Sequence, residues 1–189
     1  MKGRRGKRAN EDPRRKEIRL QYNSFIVPLQ FYLLIKCAYL VMNPRDVADE
    51  AYITLSTQHR GPCTYDALRQ LADEIVQERV DGGVDSRADH SSLAQLFDSY
   101  FRGKYPVVRE LVCALDDLGD EDRKIQEARF LDLLANENIA AVIGEAVLAN
   151  SGQERKDLAR LTEGSSDLDE LKSFFADLWR GSSDDSTGQ

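Results

Sequence analysis

Between Leu29 and Met42 the chain runs LQFYLLIKCAYLVM, apolar except where Gln30 and Lys36 interrupt it. A helix crossing a bilayer needs about 20 apolar residues, so a run this short predicts a helix buried inside a bundle and no membrane insertion. A preceding helix is expected from Arg14 to Asn23, with the buried one following from Ser24 to Met42. Asn43-Pro44 then marks a stop and restart: Asn suits the N-cap, Pro the first helical position, and Asp46 the first turn. In RDVADEAYITLST, Val47, Ala48, Ala51, Tyr52 and Leu55 repeat close to the helical period. After the break at Gly61-Pro62, Leu68, Leu71, Ala72, Ile75 and Val76 form one apolar face of the next helix.

DGGVDSRADHSS, Asp81 to Ser92, is polar and has adjacent glycines, and so predicts a flexible linker. Two further helices follow, SLAQLFDSYF and PVVRELVCALDDL, divided by Gly103 and Pro106. From Ala114 to Gly144 the pattern predicts a helix end at Leu115 and Leu118 and a break at Gly119. A second helix, capped by Asp120, carries Ile125, Ala128, Leu131 and Leu134, and a third is capped by Asn136. Small Ala140 and Ala141, then Gly144, suit the tight corner of a helix-turn-helix, although any three-helix corner has the same spacing. No alternating strand pattern of useful length occurs. The expected fold is therefore all-α, two small helical bundles joined by a flexible linker, the second containing a helix-turn-helix. The divisions are a disordered basic tail at 1–13, a first helical domain at 14–79, the linker at 80–92, a second domain at 93–180 and a disordered end at 181–189.

Charge adds an asymmetry. The chain has 189 residues and a net charge of −7, yet residues 1–19 carry nine Lys or Arg against three acids. Such a tail suits phosphates or an acidic surface, or simply stays solvated. Near the other end, Leu168, Leu171, Phe174, Phe175, Leu178 and Trp179 follow helical spacing among acids. That predicts an acidic amphipathic helix, packed on the second domain or docked on a partner. Cys37, Cys63 and Cys113 are odd in number and widely spaced, which predicts free thiols, no metal site and a reducing compartment. The basic start leads into EDPRRKEIR rather than an apolar core, so the expected location is the cytoplasm. No phosphate-binding glycine loop and no convergent catalytic set is present; neither an enzyme nor a cofactor is expected.

Two stretches resemble the extracytoplasmic-function class of the sigma-70 family of RNA polymerase sigma factors. Ala114-Leu115, Leu118, Arg123, Phe130-Leu131, Glu137, Ile139, Ala140 and Gly144 fall in register with the start of that family's promoter-reading domain. Gly119 stands where a Pro is usual and Asn138 where an acid is usual. DVADEAYITL is similar to the helix by which these factors grip a coiled coil of polymerase, with Asp49 in place of the usual Gln. The resemblance implies a non-catalytic transcription initiation protein whose partners are core RNA polymerase, promoter DNA and an anti-sigma protein. It places Asp46, Asp49 and Glu50 on polymerase, and Arg69 and Arg79 near the promoter element that is opened. Gly144, Arg155, Lys156 and Arg160 would then face the upstream promoter element.

The pattern also departs from the family. Asp73 and Glu74 stand where a basic residue and an Asn are usual, and acids repel phosphates. Glu145, Glu154 and Asp157 surround the three basic residues of the expected recognition segment. A helical interaction protein, or a sigma-like regulator that binds a protein without reading DNA, is the alternative function.

Overall fold

The computed structural model describes residues 13–58, 62–87 and 92–141, together with Asp169, Ser173, Phe174, Ala176 and Asp177. The described residues are all-α. Six helices follow in order: α1 (Pro13–Lys36), α2 (Pro44–Thr57), α3 (Tyr65–Asp81), α4 (Leu93–Phe101), α5 (Pro106–Asp116) and α6 (Asp120–Ala135). A further helical turn occupies 137–141. No helix among the described residues is long and apolar enough to cross a membrane.

Local chemistry accounts for most of the boundaries. The Asn43 side chain accepts from the Arg45 N–H with Pro44 in the first turn of α2, and Thr64 accepts from Ala67 at the start of α3. Ser92 and Gln95 form a reciprocal capping box on α4. The Asp116 carboxylate, at the end of α5, accepts from the N–H groups of Leu93 and Ala94 at 3.0 and 2.8 Å. Asn136 receives the N–H groups of Asn138 and Ile139, as its expected capping role requires. The cap of α6 differs from expectation: Gly119 occupies it without a side-chain bond, and Asp120, Glu121 and Asp122 form the first turn, where the helix dipole favours acids.

The first two expected helices are one. α1 is continuous through Pro28, which is buried and lacks the N–H that would have bonded one turn back. It also ends at Lys36 rather than Met42. Residues 39–41 instead lie antiparallel to 85–87: Val41 donates to the Asp85 carbonyl, Arg87 to that of Tyr39, and Leu40 bridges Ser86. Part of the expected linker is thereby pinned to the first half of the chain.

The expected separation into two bundles is not what the packing of the described residues displays. Their buried apolar side chains form one cluster drawn from every helix. Phe31 of α1 meets Phe97 and Phe101 of α4 with ring centroids 5.8 and 4.8 Å away, and Tyr105 at 5.7 Å. Tyr100 donates to the Met42 carbonyl, and Tyr39 to Glu127. Helix α1 is the shared wall. Ring on ring, Phe174 covers Phe130 of α6 at 5.3 Å, and Asp177 pairs with Arg129 at 3.4 Å. These described residues of the acidic segment thus pack on the second half.

Candidate partner-binding face

Helix α2 presents one buried and one exposed face. Val47, Ala48, Ala51 and Leu55 are buried, and α2 packs against α1 and α3. Asp46, Asp49, Glu50 and Ile53 follow on the opposite side at spacings of three, one and three, which brings them onto one stripe. All three acids are exposed, and Ile53 is 56% exposed, one of the few large apolar side chains so placed.

The members of this stripe differ in how they are held. Asp46 lies in the first turn, where the N-terminal dipole favours its charge. Asp49 accepts the Tyr22 hydroxyl at 2.6 Å, and Tyr22 stacks on Tyr52 with centroids 4.3 Å apart. Burial, then the Asp49 carboxylate, pushes the Tyr22 phenol far above its ordinary range. Tyr22 therefore stays a neutral donor that fixes Asp49. Glu50 pairs with Arg79 from the end of α3.

Arg79 and Arg69 were expected on DNA, and both are engaged within the protein. Arg69 lies 3.3 Å from Asp73 and 3.9 Å from Asp66, and its guanidinium sits over the Tyr32 ring, 6.0 Å from the centroid. Asp73 also receives Lys36 and the Tyr32 hydroxyl. Burial works to lower the Lys36 pKa, but its bonds to Asp73 and Tyr32 outweigh that and raise it. Of this Tyr32–Lys36–Arg69–Asp73 cluster, partly buried between α1 and α3, the sequence-based candidates include Arg69 alone, and in a different role. The cluster's signal in the sequence is the spacing of four between Tyr32 and Lys36, and again between Arg69 and Asp73.

Gly144, Arg155, Lys156 and Arg160 lie outside the described residues. All three cysteines are free. Burial pushes the thiols of Cys37 and Cys63 up to about 11, so neither forms a thiolate readily near neutrality. The described residues contain no group of three or more His, Cys, Asp or Glu placed to hold a metal ion.

Compared with protein-family models, curated proteins and solved structures, the chain matches none.

Proposed function

We propose that this chain is a sigma-like transcription initiation protein that binds core RNA polymerase through the outer face of α2 and brings it to promoter DNA. The observation that carries the reading is the exposed stripe Asp46–Asp49–Glu50–Ile53. An acidic stripe with an apolar residue at one end suits a basic helical partner, because complementary charge steers the encounter and the apolar side chain is desolvated on docking. The resemblance of Ala114 to Gly144 to a promoter-reading domain supports the DNA half of the reading, with Gly144, Arg155, Lys156 and Arg160 as its contacts. The deciding experiment is transcription in vitro with core polymerase. Promoter-dependent transcripts that need this chain support the proposal, and their absence despite polymerase binding removes its DNA half.

A second reading has its own observation in favour. Arg69 and Arg79 spend their charge on Asp66, Asp73 and Glu50, which lowers what is left for phosphates. A sigma-like regulator that holds polymerase, or another helical protein, without reading DNA fits that arrangement. Binding to random duplex DNA that does not vary with salt favours this second reading.

A further inference from the structure

A cavity of about 450 Å3 opens between α1, the start of α2 and the loop from α4 to α5. Three cations line it, Arg45, Arg102 and Lys104, and no carboxylate does. In a chain of net charge −7, that segregation stands out. None of the three forms an ion pair among the described residues. The acid nearest the loop on α4, Asp98, is already held by Arg109 through two hydrogen bonds of 2.8 and 3.0 Å. Helix α2 begins at the same wall, with Asn43 and Arg45 both lining the cavity, while Asp46, the acid of its first turn, is not among the lining residues.

The loop is also held in costly backbone. Arg102 and Tyr105 have φ of 50° and 59°, and Gly103 between them has 75°. Left-handed backbone at non-glycine residues persists only where the surroundings impose it, and it clusters at ligand sites. Arg102 and Lys104 of this loop line the same cavity as Arg45 of a different element.

We propose that this cavity binds a soluble oligophosphate, a diphosphate or triphosphate group carried by a small molecule. Arg45, Arg102 and Lys104 meet its oxygens in charge-assisted hydrogen bonds. Two features select this class over a single phosphate. The cations come from two separate elements, and the volume falls in the range of about 300–1,000 Å3 typical of small-molecule sites. Tyr100 lines the same wall, with its hydroxyl committed to the Met42 carbonyl, and offers its ring to the carrier. The assignment is independent of the polymerase reading, since none of these residues lies on the outer stripe of α2.

Calorimetric titration of the full chain with inorganic diphosphate, with ATP in the presence of a chelator, and with inorganic phosphate tests the assignment. Saturable binding of diphosphate and ATP is expected, at least about tenfold tighter than phosphate. The double variant Arg102→Asn, Lys104→Gln keeps a residue that tolerates left-handed backbone, and should weaken diphosphate binding by about tenfold or more with unchanged helical circular dichroism. Lys124→Gln, on the exposed side of α6, should leave it unchanged. No saturable binding, equal affinity for phosphate and diphosphate, or the same affinity in the double variant overturns the proposal. So does binding of duplex DNA that these charges govern without any binding of diphosphate.

Discussion

The hydroxyl of Tyr65 donates a 2.6 Å hydrogen bond to the main-chain carbonyl of Leu134. Tyr65 opens α3 and is fully buried, while Leu134 lies in the last turn of α6, where carbonyls lose their helical partners. One phenol thus satisfies a buried acceptor and ties the two halves of the chain together. Tyr65→Phe leaves that carbonyl unpaired away from water and should cost about 1–3 kcal/mol. Denaturant unfolding followed by two probes checks this: the midpoint should fall and the probes should still coincide. Two separate transitions in the parent chain would contradict the single core.

Phe31 is the apolar counterpart of that tie. It is buried against Phe97, Phe101 and Tyr105, which belong to α4 and the loop after it. Phe31→Ala should cost about 3–5 kcal/mol, from lost burial and the cavity left behind. Phe31→Leu should cost visibly less in the same denaturation assay.

Much of this fold is legible in the sequence because it is local. The Asn43-Pro44 restart, the Asn136 cap and the buried faces of α2 and α3 follow from spacing and capping chemistry within one or two turns. What the sequence hides is pairing across distance. The pattern divides the helix between Asn23 and Ser24, yet the buried flank of α1 carries one helix past that point and through Pro28. The DGG segment has linker composition, which gives no sign that its residues 85–87 pair with 39–41. For the candidate stripe, the periodicity identifies Asp46, Asp49 and Glu50. It is silent on Tyr22 fixing Asp49 and on Arg79 reaching Glu50, because those contacts span 27 and 29 positions.

Glu127 carries a pH signature. It is 6% exposed, and its Oε1 lacks a hydrogen-bond partner although Arg123 Nε lies 3.5 Å away. Burial raises its pKa above the ordinary carboxylate value, with the Arg123 charge only partly opposing. A raised folded-state value means that the stabilising contribution is complete below the ordinary value and is lost as pH rises through the raised one. Glu127→Gln keeps the shape and removes the charge. Its stability should match the parent in acid and exceed it at neutral pH. A variant less stable than the parent at neutral pH would show that the Arg123 contact outweighs burial.

The Glu50–Arg79 pair joins a residue expected on polymerase to one expected on DNA. Glu50 is exposed and Arg79 partly so, with side chains 50% and 35% accessible, so a double-mutant cycle should give a coupling of about 0–1 kcal/mol, shrinking with added salt. At that strength a partner with its own cations displaces Arg79 readily. Arg79→Ala should therefore leave polymerase binding intact or slightly stronger, as read by an equilibrium binding titration.

The affinity of the full chain for core RNA polymerase, compared with that of an Asp46→Lys, Glu50→Lys variant, tests the central claim most directly. Both positions are exposed, so the variant should keep its fold. The account predicts saturable binding by the parent chain, at least about tenfold weaker after charge reversal and weaker with rising salt. No binding by the parent, or equal binding by the variant, would contradict it.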